Sequence, residues 1–240
     1  MANIIGDKNL KFFPKSHTYR YGKTKLQSAT EWVGSFNPPF KPFDPSVAKH
    51  SAKKQTRETG EKIGARGIKA QWKAITDEGT AVHAEIEEYI KGDNGPLNLF
   101  QPKNLRSKFG IAEYNKLKGR FNPTKIHAEA RVYSLEMGVA GTIDLIFETD
   151  EGLVLIDWKT NRKMTGLVPS EDGKREQSVF TLPDTKIAKY TMQLNTYAYI
   201  LERYYGYKIR ALKLVHLEDT EARVMDLPYI PRLVEELINK

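Results

Sequence analysis

The stretch from residue 139 to residue 160, VAGTIDLIFETDEGLVLIDWKT, decides the fold. Its two runs of mainly aliphatic residues, 139–148 and 153–160, are separated by a short polar segment, TDEG at 149–152, that ends in glycine. Two apolar runs of strand length joined by turn residues are typical of a β-hairpin. We therefore expect two antiparallel strands here, joined by a tight turn.

Acidic residues interrupt both apolar strands of this hairpin. Because side chains alternate across a strand, Asp157 and Lys159 share one face, and the turn can bring Asp144 of the facing strand near Asp157. Burying an unpaired carboxylate is costly, so we expect Asp157 to meet a partner or a metal. An ordinary Asp157–Lys159 ion pair at a strand end is the alternative that these residues alone leave open.

Two further polar pairs lie on segments with helical periodicity. His83 and Glu87 are four residues apart, and so are Gln193 and Tyr197 within the helix predicted over 186–205. Each pair borders an apolar stripe, so each taken alone is typical of an ordinary helix face at the edge of a core.

The net charge of +8 is distributed unevenly along the chain. Residues 45–75 carry eight bases against two acids, and residues 103–125 carry seven bases against one acid. The segment between them, 76–102, carries six acids against one base. Basic segments on both sides of an acidic one favour a polyanionic partner beside a site for a divalent cation.

Composition excludes several classes of protein. The 240 residues include no cysteine, which rules out disulfides, thiol catalysis, cysteine-ligated zinc and an iron–sulfur cluster. No apolar run approaches the ~20 residues of a membrane span, and the N-terminus lacks an apolar stretch of signal-peptide length. We therefore expect a cytoplasmic protein of one domain, with no membrane contact.

The remaining patterns predict a mixed α/β chain. Residues 17–27 favour two short strands around Gly22, and Ser28 is a suitable N-cap for the short helix that follows. The other expected elements are a helix over about 46–91 interrupted at Gly60, Gly64, Gly67 and Gly79, a basic helix over 103–119, strands over 125–134, 208–217 and 222–227, and helices over 186–205 and 231–239. Residues 161–185 form a long polar loop, which we expect to be functional.

The order of these pieces resembles the PD-(D/E)XK nuclease superfamily. Gly-Thr-x-x-His at 79–83, a Glu before Gly-x-x-Asp at 141–144, Ile-Asp-Trp-Lys-Thr at 156–160 and Gln-x-x-x-Tyr at 193–197 follow one another as in its RecB-like exonuclease branch. That branch includes the mitochondrial genome maintenance exonuclease and small phage-type members. The resemblance implies a restriction-endonuclease-like core, a central mixed sheet flanked by helices, with a helical N-terminal elaboration.

The resemblance also implies roles for individual residues. His83, Asp144, Asp157 and the backbone carbonyl of Trp158 would ligate a divalent metal, and Lys159 would position the attacking water. The remaining residues that it assigns are the upstream acid Glu129 and the site-supporting or DNA-contacting residues Gln193, Tyr197, Thr80, Glu87 and Thr160. Carboxylates suit one or two ions of Mg²⁺ or Mn²⁺, and a histidine ligand favours tolerance of Mn²⁺.

These features together predict a metal-dependent DNA exonuclease of recombination, repair or phage DNA processing, in a bacterium or a phage-infected cell. The substrate would be single-stranded DNA or duplex ends, and a helicase, a single-strand-binding protein or a recombination protein could be a partner. The alternatives are a structure-specific endonuclease of the same fold and a catalytically silent DNA-binding module. The chain would be one nuclease domain, 1–240, with an N-terminal region over residues 1–78, a core over 79–227 and a C-terminal helix over 228–240.

In this interpretation the segments 45–75 and 103–125 line a DNA path, which the loop 161–185 would gate. Aromatic side chains of these segments would stack on bases, namely Trp72, Phe109, Tyr114 and Phe121.

Overall fold

Eight strands and six helices succeed one another in the portion of the chain that the computed structural model describes, residues 5, 7–14, 16–36, 45–92, 100–161, 164 and 185–239. The strands are β1 (Leu10–Phe13), β2 (Thr18–Tyr21), β3 (Thr24–Ser28), β4 (Lys125–Ser134), β5 (Val139–Thr149), β6 (Gly152–Lys159), β7 (Ile209–Leu217) and β8 (Ala222–Leu227). The helices are α1 (Ala29–Ser35), α2 (Pro45–Thr59), α3 (Ala65–Gly92), α4 (Leu105–Phe121), α5 (Lys186–Tyr205) and α6 (Pro231–Ile238). The predicted hairpin is therefore confirmed as β5 and β6, and the mixed α/β class is confirmed with it.

The strands form one mixed sheet in the order β1-β2-β3-β5-β6-β7-β8, with β4 paired to β5. Antiparallel β4 occupies one edge of β5 over residues 139–148. On the other edge, β3 pairs in parallel at Val139 and Ala140, and β6 pairs antiparallel from Leu145 onward. Between Ala140 and Leu145 this second edge of β5 has no strand partner among the described residues, so the sheet splits there.

Apolar side chains cover both faces of the hairpin, which explains why β6 is a nearly continuous apolar run. On one face, Ile146 and Leu155 belong to a core with Leu194 of α5. On the other face, Phe147 and Ile156 pack into a core with residues of α3 and α4. Each such buried side chain stabilises the fold by about 1.5–3 kcal/mol. The two cores therefore pack β6 between α5 on one face and α3 and α4 on the other.

The helix expected over 46–91 breaks at one place only. Gly60, with φ +76°, and Gly64 lie between α2 and α3, whereas Gly67 and Gly79 lie inside α3. The expected interruptions at Gly67 and Gly79 are therefore wrong. At Gly79 the reason is packing, because a Cβ there would lie 2.8 Å from Thr160 Oγ1. The glycine allows α3 to approach the end of β6 closely, and tertiary contacts offset its weak helix propensity.

The N-terminal segment forms the two strands predicted over 17–27 and one more strand before them. Strands β2 and β3 confirm the predicted pair around Gly22. Strand β1, which pairs with β2, could not be predicted, because its four residues LKFF look like any other short apolar run. Ser28 caps α1 as predicted, since its Oγ accepts a hydrogen bond from the backbone N–H of Glu31 at 3.1 Å. The carboxylate of Glu31 accepts in return from the backbone N–H of Ser28, which completes a capping box.

Two of the aromatic side chains expected to stack on bases belong to the core instead. Tyr114 is fully buried and Phe121 is 8% exposed, both against the apolar face of the sheet. The prediction is wrong for these two, because the apolar stripe of α4 that contains them faces β5 and β7. Trp72 and Phe109 are half-buried.

Of the polar loop expected over 161–185, only Asn161, Met164 and Thr185 are among the described residues. The loop predicted to gate the DNA path therefore lies almost entirely outside the described residues. None of the helices described is both long and apolar enough to cross a membrane.

Gly152, at the end of the hairpin turn, should not tolerate a side chain. Its φ is +132°, and a Cβ there would lie 2.6 Å from the backbone oxygen of Lys208. We expect Gly152→Ala to lower the free energy of unfolding by about 2 kcal/mol or more, measured by urea denaturation. The control is Gly119→Ala on the exposed surface of α4, where nothing lies within 4 Å. It should stabilise the protein by up to about 1 kcal/mol, and equal effects of the two substitutions would contradict this account.

Candidate active site

Asp144 and Asp157 lie side by side where the sheet splits. Leu145 is opposite Ile156, so Asp144 and Asp157 follow as the next positions of the two strands. The backbone N–H of Trp158 donates a hydrogen bond to Asp144 Oδ2 at 2.7 Å, which ties this carboxylate to β6. The strand pairing expected from the sequence thus brings the two acids together.

Lys159 completes the group from the same face of β6. Its Nζ lies 2.6 Å from Asp157 Oδ2 and 4.6 Å from the centroid of the Tyr190 ring. Asp157 is 3% exposed, and its Oδ2 faces the ammonium group of Lys159. A carboxylate oxygen has two lone pairs, so Oδ2 can accept a further ligand beside Lys159.

His83 reaches the same point from α3. Its Nδ1 lies 3.4 Å from Asp144 Oδ1, and both side chains are largely buried. The imidazole occupies the side of Asp144 that Trp158 leaves open, so Asp144 is held from two elements at once. This arrangement places His83 beside the carboxylates, as the motif order implied.

Glu129 is the third acid of the group. One ligand atom from each of His83, Glu129 and Asp144 lies within 4.8 Å of the others. Glu129 has φ +51°, a left-handed conformation inside a strand, and the ladder between β4 and β5 omits its pairing with Asp144. Such a conformation costs roughly 1–2 kcal/mol for a residue other than glycine. Strain of this kind is characteristic of functional sites.

The electrostatics of the site follow from burial among unlike charges. Burial raises the pKa of Asp144, but the neighbouring His83 and Lys159 outweigh it and hold that pKa below its usual value. For Asp157 burial prevails, with Asp144 adding to it against Lys159, and the pKa rises to about 6. Burial, Asp144 and Glu87 together raise the pKa of Glu129 to about 7.

Burial acts on the pKa values of the two bases in the direction opposite to its effect on the acids. Burial lowers the pKa of Lys159, but Asp157 and Asp144 outweigh it, so that the pKa lies above its usual value and the amine is cationic. Burial likewise lowers the pKa of His83, and Asp144 raises it beyond that loss. The site therefore concentrates acids whose mutual repulsion is only partly offset by these two bases.

These donors fit a divalent cation. One imidazole and two carboxylates offer ligand atoms within 4.8 Å of one another, and the carboxylate of Asp157 lies on the next strand. Carboxylate-rich sites suit Mg²⁺ and Mn²⁺, and an imidazole ligand is compatible with Mn²⁺. Asp157 lies outside the tightest group of donors, because its carboxylate contacts Lys159 instead.

Tyr197 and Gln193 support the site from α5. Tyr197 is 2% exposed, and its ring lies directly on Gly141, where a Cβ would come within 2.4 Å of Tyr197 Cε1. The amide of Gln193 donates to the Tyr197 hydroxyl at 3.1 Å and to Thr30 Oγ1 at 3.0 Å. The glycine of Gly-x-x-Asp thus packs directly against the tyrosine of Gln-x-x-x-Tyr. This contact lies three residues before Asp144 in the sequence.

The other three expected support residues lie around the site and direct their own contacts elsewhere. The hydroxyl of Thr80 donates to the backbone oxygen of Thr76 at 3.0 Å, within α3. Glu87 forms an ion pair with Lys91 and acts on Glu129 through its charge. The side chain of Thr160 faces Gly79, as described above.

Sequence reasoning missed the groups that hold the end of β6. Arg106 of α4, which is 7% exposed, donates to the backbone oxygen of Thr160 at 3.1 Å and to Asp219 at 2.8 Å. His216 Nε2 lies 2.6 Å from the backbone oxygen of Asn161, and the Tyr190 hydroxyl donates to Asn161 Oδ1 at 2.7 Å. These contacts join distant segments, and in the sequence Arg106 looks like any other base of a basic helix.

Comparison with known proteins bears on this arrangement. A protein-family model described as the PD-(D/E)XK nuclease superfamily matches residues 55–228. An ATP-dependent helicase/nuclease subunit from Carboxydothermus hydrogenoformans is 28% identical over 166 residues, which cover 68% of this chain and 13% of that protein. The chain therefore spans only a small fraction of this curated relative. The solved structure of SSO0001 aligns with 89% of this chain and 75% of its own at 14% identity, with a TM-score of 0.35, too low to support a conclusion.

The raised pKa of Glu129 predicts a pH-dependent stability in metal-free protein. The folded protein keeps a proton on Glu129 up to a pH of about 7, whereas the usual pKa is 4.5. The free energy of unfolding should therefore fall by about 2–3 kcal/mol as the pH rises from about 4.5 to 7. Denaturation in EDTA across this range should show a smaller fall for Glu129→Gln, which keeps only the part due to other raised groups such as Asp157. The same change at exposed Glu88 should keep the wild-type profile, and a Glu129→Gln profile equal to wild type would refute the assignment.

The contact between Gly141 and Tyr197 can be measured by a double-mutant cycle. Gly141→Ala should lower the free energy of unfolding by about 1–3 kcal/mol, because the new Cβ overlaps the buried ring. In a Tyr197→Ala background the same substitution should cost at least about 1 kcal/mol less, since the ring is gone. Additive effects in urea denaturation would show that the two residues are not coupled.

Proposed function

Since the chain belongs to the PD-(D/E)XK nuclease superfamily, we propose that it is a divalent-metal-dependent DNA exonuclease, which hydrolyses phosphodiester bonds from DNA ends. The observation that carries this proposal is the meeting of Asp144, Asp157 and Lys159 at the split in the sheet, with His83 beside them. A silent DNA-binding module would have no use for a half-buried lysine paired to a buried acid at this point.

His83, Asp144 and Glu129 would hold the cation, together with Asp157 and the backbone carbonyl of Trp158. When bound, the cation supplies Lewis-acid polarisation of the phosphodiester and makes a water molecule more acidic. The chain's own role is to keep these donors in place before substrate arrives. Asp144 is fixed by the N–H of Trp158, and Glu129, with its left-handed backbone, lies beside it.

Lys159 would position the attacking water and offset the negative charge that develops on the phosphoryl group. Its amine is cationic, because Asp157 and Asp144 raise its pKa. Asp157 and the ring of Tyr190 orient the side chain, and the Tyr190 hydroxyl is itself tied to Asn161. A lysine held in this way provides a positive point charge without adding a competing ligand.

The substrate path that we propose follows the exposed bases of α2, of the first half of α3 and of α4, apart from the buried Arg106. The name of the relative, which describes a component of an ATP-dependent helicase/nuclease, supports a helicase as partner. A cytoplasmic role in recombination, repair or phage DNA processing is compatible with such a partner. We further propose one nuclease domain with its core over 79–227, which lies inside the matched range 55–228.

Digestion of end-labelled linear DNA with Mg²⁺ or Mn²⁺ tests the proposal. Asp157→Asn should lower the rate by at least about 100-fold, because a donor of the site and the partner of Lys159 are both altered. Asp150→Asn, in the exposed hairpin turn, should retain the wild-type rate. Full activity of Asp157→Asn would contradict the assigned chemistry.

Closed circular DNA in the same assay separates the exonuclease from an endonuclease of this fold. An exonuclease digests the linear form and spares the circle, whereas cutting of both forms would exclude the exonuclease. Binding of DNA without cleavage of either form would identify a silent module.

A further inference from the structure

An exposed row of three bases crosses the N-terminal strands of the sheet. Lys11 of β1 is opposite Arg20 of β2, and Arg20 is opposite Lys25 of β3. Residues directly opposite one another point to the same face, with Cβ atoms about 5 Å apart. All three side chains are exposed, so this face presents a line of positive charge to solvent. We call it the basic row.

The basic row is unfavourable for the isolated protein. Like charges directly opposite each other destabilise a sheet, and none of the three bases forms an ion pair with a carboxylate among the described residues. A bound polyanion would remove the repulsion and release its own counterions.

Next to the basic row the surface is concave and contains an exposed aromatic ring. Phe13, Ser16 and Thr18, together with Arg20 and Lys25, line a shallow depression of about 410 Å³. Phe13 is 43% exposed, although the other aromatic residue of its strand, Phe12, packs against the core. A ring at the end of a line of cations is the arrangement that binds an unpaired base beside its phosphates.

Strand β2, which carries Arg20, contacts β5 close to the split in the sheet. Tyr19, whose side chain points to the opposite face from Arg20, exchanges a hydrogen bond with Thr142 Oγ1 at 2.9 Å, two residues before Asp144. Strand β3 joins β5 at Val139 and Ala140, on the same edge that opens at Asp144. The family match begins at residue 55, so these strands are additional to the matched region.

We propose that the basic row and Phe13 form a binding site for single-stranded DNA that leads to the active site. Lys11, Arg20 and Lys25 neutralise consecutive phosphates, and the ring of Phe13 stacks on a base. A single strand suits this surface better than a duplex, because a paired base offers no free face to Phe13. The assignment of DNA as ligand rests on the proposed nuclease function.

Binding of a fluorescent 20-nucleotide single strand in EDTA, where metal-dependent cleavage cannot proceed, tests the site. The triple variant Lys11→Gln, Arg20→Gln, Lys25→Gln should bind at least about 10-fold more weakly than wild type. The slope of its log association constant against log salt concentration should be smaller in magnitude by about 2, as expected for three lost contacts to single-stranded phosphates.

Two matched triple variants serve as controls. Arg203→Gln, Lys208→Gln, Arg232→Gln removes the same charge from other exposed positions and should keep the wild-type affinity and salt dependence. Lys11→Arg, Arg20→Lys, Lys25→Arg retains the charges and should bind as wild type. Equal binding by the two glutamine triples would overturn the proposal.

Phe13→Ala tests the choice of single strand. It should weaken binding of the single strand several-fold and leave binding of a 20-base-pair duplex unchanged. An equal loss for both ligands would overturn the single-strand assignment.

Cleavage of linear DNA in Mn²⁺ by the same wild-type protein reports on the proposed function separately. If wild type binds through the basic row without cutting, the nuclease proposal fails and the site stands. If wild type cuts while the basic-row triple keeps full affinity, only the site fails. A wild type that binds no DNA would refute both.

Discussion

The carboxylate of Asp157, buried at 3% exposure in the middle of an apolar sheet, is the constraint on which the site depends. A buried charge of this kind is tolerated only with close compensation. Lys159 supplies some of it from the same face of β6, and His83 supplies the corresponding charge for Asp144. Burial first, and repulsion from Asp144 after it, raise the pKa of Asp157 to about 6 and that of Glu129 to about 7. A divalent cation would relieve this repulsion directly.

The position of this group follows from how β5 is shared among its neighbours. One edge of β5 is fully paired with β4, whereas the other is divided between β3 and β6. The gap between them exposes the polar edge of β5 at Asp144. Helices approach this gap closely because small residues allow it: Gly79 admits Thr160, and Gly141 admits the ring of Tyr197. Motif residues that are far apart in the sequence are thus direct packing partners.

Much of this arrangement could be predicted from the sequence, because it depends on the alternation of side chains along strands and their spacing along helices. Alternation in 139–160 predicts the hairpin and places Asp157 and Lys159 on one face, and spacing on α3 brings His83 to the core boundary. The left-handed backbone of Glu129 could not be predicted, since KIHAEARVYS is an ordinary strand pattern. Nor could the partners of Arg106, which joins α4 to the end of β6 across the fold. Contacts between distant segments leave no periodic signal, and core burial decides whether an aromatic such as Tyr114 is available to a ligand.

The central claim is that Asp144 and its neighbours hold a divalent cation. Titration of Mn²⁺ into the protein, followed by electron paramagnetic resonance of the free ion, tests it most directly. We expect wild type to take up Mn²⁺ and Asp144→Asn to lose this uptake, with Asp150→Asn in the hairpin turn binding as wild type. Equal uptake by wild type and Asp144→Asn, or no uptake by wild type, would contradict the account.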